Sequence, residues 1–112
     1  MNRRSILESL IRFERTIGQL RSELISLPWD TDLELVTLRR THLQTVLKRF
    51  LTGELSPEII EEWANMVEGR DDIAFEGGRH GPTAEVVHTF ANPLLTQPLT
   101  FERAKSLWSR LK

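Results

Sequence analysis

The chain has 112 residues, of which 39% are apolar and 28% charged, with a net charge of −1. That is the length and balance of one globular domain with a modest core. Cysteine is absent, which excludes disulfides and thiolate metal sites, and no apolar run approaches the ~18 residues of a membrane span. The basic start at Arg3 and Arg4 is followed by Glu8, Arg12, Glu14 and Arg15, which interrupt any secretory h-region. The expectation is a cytoplasmic protein.

Residues 3–27 predict one long amphipathic helix. Ile6, Leu10, Phe13, Ile17, Leu20, Leu24 and Leu27 recur at alternating steps of four and three, the a/d seam of a heptad. Leu7, Ile11 and Ile25 widen the stripe enough for ordinary core packing. Ser5 with Glu8 can form a capping box, or the helix can begin at Asn2. Pro28 should end it, because the residue before a proline is pushed out of the α region. Residues 29–36 form a connector in which Trp29 either covers the core or anchors an interface. Leu33, Leu35 and Val36 either form a short extended piece or pin the loop.

Thr37 is the expected N-cap of a helix over 38–51. Its apolar face is Leu43, Val46, Leu47, Phe50 and Leu51, and its wet face carries Arg39, Arg40, Lys48 and Arg49. Gly53 supplies the left-handed stop. The next helix is the best specified, with Ser56 as cap and Pro57 in the first turn. Ile59, Ile60, Trp63, Ala64 and Val67 form its stripe, and Gly69 its end. Residues 70–76 alternate, placing Ile73 and Phe75 on one side and Asp72, Ala74 and Glu76 on the other, which allows a short strand. Residues 77–82, GGRHGP, read as an exposed loop. Thr83 should cap a helix over 84–91 that buries Val86, Val87 and Phe90 and stops at Asn92–Pro93. Leu94 and Leu95 should tie the following loop to the core. Thr100 should cap a last helix over 101–111, with Ala104, Leu107, Trp108 and Leu111 inward.

The expected architecture is therefore a single all-α domain of about five helices. The long N-terminal helix, 1–27, precedes a helical core over 37–112, and a minor extended segment is allowed near 33–36 or 73–76.

Charge is unevenly spread. Residues 1–52 hold nine Arg/Lys against six Asp/Glu, whereas residues 53–112 hold six against ten. Within 53–76 stand eight acids and one base, Arg70. Such a field repels phosphates and suits a basic partner. The four cations at 39, 40, 48 and 49 do not reverse this, because a nucleic-acid-binding domain is basic overall and this chain has a pI near 6.3. No catalytic signature is present. His42, His80 and His88 lack paired zinc spacing, the carboxylates form a wet run rather than a buried pair, and neither a nucleophile elbow nor a phosphate loop occurs. No cofactor is implied.

The segments FLTGELSPEIIEEWANMVEGRDDIAFE and FANPLLTQPLT resemble bacterial immunity proteins of contact-dependent growth inhibition and related polymorphic toxin systems. The matching positions are Gly53, Glu54, Leu55, Trp63, Ala64, Glu68, Arg70, Asp71, Asp72, Ala91, Asn92, Pro93, Leu99 and Thr100. The resemblance covers residues 36–111 and leaves 1–27 aside. It implies a non-catalytic protein that binds one cognate toxin domain, commonly a nuclease with a basic groove, and blocks it. The expected contact residues are Glu58, Glu61, Glu62, Glu68, Asp71, Asp72 and Glu76. Nucleic acid and membrane are not expected partners. The alternative is an adaptor that self-associates as a homodimer through the N-terminal helix.

Overall fold

The computed structural model describes residues 3–25, 27 and 34–111. Among these residues it contains six helices: α1 (Arg3–Arg12), α2 (Ile17–Leu24), α3 (Arg40–Leu51), α4 (Pro57–Glu68), α5 (Pro82–Ala91) and α6 (Phe101–Leu111). Two three-residue strands, β1 (Val36–Leu38) and β2 (Ile73–Phe75), complete the fold. The strands run parallel, with Val36 opposite Ile73, Thr37 opposite Ala74 and Leu38 opposite Phe75. The architecture is thus all-α with a minor extended ribbon. The expected stop at Pro28, the alternative start at Asn2, and Trp29 and Leu33 of the connector lie outside the described residues.

Residues 3–27 do not form one helix. The chain breaks after Arg12, where Phe13 adopts a left-handed backbone with φ of 53°. The Phe13 amide donates to the Leu10 carbonyl (3.1 Å) and the Glu14 amide to the Ser9 carbonyl (3.1 Å). This pair of bonds is a Schellman stop, usually built on glycine. A left-handed conformation costs a residue with a Cβ about 1–2 kcal/mol. The Phe13 ring offsets this by stacking on Trp63 at 5.5 Å beneath the Arg49 guanidinium, 5.0 Å from its centroid. Arg49 also donates to the Phe13 carbonyl at 2.9 Å. The chain restarts at Thr16, whose hydroxyl accepts from the Gln19 amide while the Gln19 side chain accepts from the Thr16 amide. The a/d residues Ile6, Leu10, Phe13, Leu20 and Leu24 are buried in the domain's own core, with Ile17 and Leu27 partly buried against it.

α4 lies at the centre. It packs most extensively on α5 and also touches α1 and α2, while α3 packs on α6. Ile60, Trp63, Ala64, Met66 and Val67 form its buried face, at the three- and four-residue spacing of a helix stripe. Trp63 is fully enclosed, and its Nε1 donates to the Leu10 carbonyl at 2.7 Å. A buried indole needs such a partner. Ser56 caps α4 by accepting from the Ile59 amide, and Pro57 occupies the first turn.

Several local expectations are corrected by packing. Thr37 is not a cap but the middle of β1. Ile59 is partly exposed rather than on the buried stripe. Thr83 is buried inside α5, whose cap is Gly81 with Pro82 at the first helical position. A Cβ on Gly81 would come within 2.6 Å of the Gly77 carbonyl oxygen, so the turn entering α5 requires glycine there. Leu94 and Leu95 are not tied to the core: they are 100% and 80% exposed. Gly53, with φ of 85°, and Thr100, whose hydroxyl accepts from the Arg103 amide, hold the roles expected of them.

Arg39 supplies no side-chain cap to α3. Two other groups satisfy the helix start. The His42 Nδ1 accepts from the Arg39 amide at 2.8 Å, and the Glu76 carboxylate, 36 residues on, accepts from the Arg40 amide at 2.8 Å. Burial and the nearby Arg12 and Arg39 guanidiniums push the His42 imidazole below its usual range, only partly opposed by Glu8 and Glu76. A histidine depressed in the native state stabilises it fully above the unfolded value of 6.5 and loses that contribution as pH falls below it. The urea midpoint should therefore drop between about pH 7 and pH 5.5, and His42→Ala should flatten that drop. An unchanged slope in the variant would remove His42 as its cause.

Candidate acidic docking site

The acidic segment does not present one face. Asp72 is wholly buried. Its carboxylate accepts both Arg70 Nε (2.9 Å) and Arg70 Nη2 (3.0 Å), a bidentate pair, and Arg3 approaches within 3.4 Å. Its carbonyl oxygen accepts from the Leu35 amide at 2.9 Å, which aligns β1 with the start of β2. Asp72 is thus a core fastener and cannot reach a partner. The alternation holds from Ile73 to Glu76, with Ile73 and Phe75 buried and Ala74 and Glu76 half-buried, but Asp72 departs from it because its carboxylate is held by the buried Arg70.

Glu76 is also a structural residue. The Arg40 amide hydrogen bond, with the Arg40 and Arg39 guanidiniums behind it, holds its carboxyl below the usual range. Its Arg40 Nε contact is 3.5 Å. Glu68 closes a clasp between the last turns of α4 and α5. The His88 Nδ1 lies 2.6 Å from Glu68 Oε2; since a carboxylate only accepts, the imidazole N–H donates. The Asn92 amide group donates to Glu68 Oε1 at 3.3 Å and to the His88 carbonyl at 2.9 Å. Asp71 faces Arg79 at 3.6 Å.

The remaining three acids stand on the amino-terminal half of α4. Glu62 is half-exposed, with Arg21 at the edge of ion-pair distance, 3.9 Å. Glu58 and Glu61 make no ion pair with any described residue. Both line a groove of about 290 Å³ between the start of α4 and the chain leaving α5. Its other walls include Phe90, Pro93, Pro98 and Leu99, and no Lys, Arg or His lines it. Low-dielectric walls beside two carboxylates concentrate a negative field there. The α4 dipole, positive at this end, stabilises the ionised carboxylates.

The cations of α3 are largely spent. Arg40 pairs with Glu76 and Arg49 with Glu54. Beside Glu68 and His88, a second cleft is lined by Arg79 and His80. His88 there is oriented by Glu68, yet the contacts around it join helix ends and include no Ser or Thr nucleophile. Among the described residues no group of three or more His, Asp or Glu could hold a metal ion, and no helix is long and apolar enough to cross a membrane.

The apolar half of the groove was not foreseen. Its signal was present in PLLTQPL, whose Pro93, Pro98 and Leu99 line it and lie outside any helical period. Comparison with family models, curated proteins and solved structures found no match.

Proposed function

We propose that this chain is a non-catalytic immunity protein that neutralises a cognate toxin domain by occluding a basic surface of it. The contact centres on Glu58, Glu61 and Glu62. The observation that carries this reading is that Glu58 and Glu61 make no ion pair among the described residues and line a groove with no basic wall. The other acids of the segment already satisfy cations or amides of the chain itself. An unpaired carboxylate pair on a rigid, well-capped helix is preorganised for docking and loses little entropy when a cation arrives. The resemblance to polymorphic-toxin immunity proteins points the same way.

The test is co-expression with any secreted toxin domain found in the neighbouring reading frames, read as survival, together with association kinetics. Glu58→Lys with Glu61→Lys should slow association by about tenfold or more at low salt, the range of electrostatic steering, with a smaller effect at high salt. Asp71→Asn, whose carboxylate already faces Arg79, should change the on-rate little. An on-rate indifferent to both α4 reversals would remove this surface from the interface.

A further inference from the structure

The loop that supplies Pro93, Pro98 and Leu99 to the groove also carries the two most exposed leucines of the described chain, Leu94 and Leu95. They stand on a built turn. The Leu95 and Thr96 amides both donate to the Asn92 carbonyl, at 3.1 and 3.0 Å. The Thr96 hydroxyl donates to the Asn92 carbonyl at 2.7 Å and lies 3.2 Å from the Thr89 carbonyl. Asn92 in turn is held by Glu68 and by the end of α5. Two bare leucines on a hydrogen-bonded turn, beside an apolar groove rimmed by carboxylates, have the anatomy of an interface anchor with a polar rim.

We propose that this groove and turn take an apolar side chain flanked by Lys or Arg, presented by a short segment of a partner protein. The inference rests on the neutralising function and assigns the partner's contact chemistry. Charge complementarity selects the occupant: Glu58 and Glu61 face the groove and no cation lines it. Volume agrees with a small occupant, since about 290 Å³ stands at the lower end of ligand-site volumes and accommodates an inserted side chain. A second copy of this chain is a poorer fit. Its own apolar cationic patch, Lys48, Leu51, Lys105 and Trp108, lies on α3 and α6, so self-docking would join unlike faces head to tail instead of the self-complementary contact of the common two-fold dimer.

The probe is a synthetic 12-residue peptide of leucine and arginine, titrated into the full chain labelled with nitrogen-15. Two control peptides replace arginine by glutamate or leucine by serine. Resonances of Glu58, Glu61, Phe90, Leu94, Leu95 and Leu99 should shift with the Leu/Arg peptide and not with either control. Leu94→Ser with Leu95→Ser should weaken binding by about tenfold or more, the loss expected of an anchor pair, while the thermal midpoint stays put because neither leucine is in the core. Absence of binding, shifts centred on α3 and α6, or equal binding of the Ser/Arg peptide would overturn the proposal. Sedimentation of the chain alone is the remaining arm: self-association abolished by the leucine variant would assign the groove to a second copy and overturn it too. No toxin enters this experiment. Loss of groove binding therefore sinks this inference alone, whereas failed protection with groove binding intact sinks the functional reading.

Discussion

Trp63→Ala is expected to lower the unfolding free energy by about 3–5 kcal/mol, the cost of truncating a large buried aromatic. For a domain whose total stability is about 5–15 kcal/mol, that is between a fifth and all of it. Three losses coincide at this position. The indole is fully enclosed on the α4 stripe, its N–H satisfies the Leu10 carbonyl at the end of α1, and its ring stacks on Phe13. Phe13 holds an unfavourable backbone conformation only because its ring is anchored there, so the break between α1 and α2 should loosen as well. Trp63→Phe separates the terms. It retains a ring for Phe13 and leaves the Phe13 amide on the Leu10 carbonyl, so the lost indole hydrogen bond should cost about 0.5–1.5 kcal/mol plus the missing ring volume. Urea unfolding followed by circular dichroism measures both. A Trp63→Ala protein with the wild-type midpoint would contradict the central place given to α4.

Asp72→Ala should cost about 3–5 kcal/mol, because it removes the bidentate partner of a buried guanidinium. Arg70 and Asp72 are both essentially without solvent contact. Replacing the two together, Arg70→Met with Asp72→Leu, should cost less than Asp72→Ala alone, since neither charge then has to be kept out of water. The coupling energy from the double-mutant cycle tests this directly. A single Asp72 substitution as mild as a surface change would mean that the carboxylate is not a fastener. The same experiment bears on function: if protection survives the double replacement, the Arg70–Asp72 pair is architecture rather than interface.

The core helices were legible in the sequence because their signals are local. Ser56–Pro57 before α4, the apolar spacing through Trp63 and Val67, Gly53 after α3 and Thr100 before α6 each act within one or two turns. The break in residues 3–27 was legible too, in Thr16 and Gln19, which are the ends of a capping box. The heptad-like spacing does not reveal it, because a period of four and three fits either one long helix or two short ones that present the same face to a shared core.

The acidic segment was legible as composition but not as a surface. A count of charges cannot distinguish a carboxylate facing water from one facing Arg70, the Arg40 amide or the His88 ring. The partners of Glu76 and Glu68 lie 36 and 20 residues away in the chain, and no local pattern joins them. Leu94 and Leu95 failed in the opposite sense: apolar identity suggested burial, but the turn built on Asn92 carries them outward.

What this sequence determined by itself is the all-α class, the helices α3 to α6, the caps at Ser56 and Thr100 and most of the buried faces, since helix propensity, capping and apolar period act over a few neighbouring residues. Only the tertiary structure decided which charges remain available. Coulombic and hydrogen-bond partners are chosen by proximity in space, and folding gives Glu68 to His88, Asp71 to Arg79, Asp72 to Arg70 and Glu76 to the Arg40 amide while leaving Glu58 and Glu61 at an open groove.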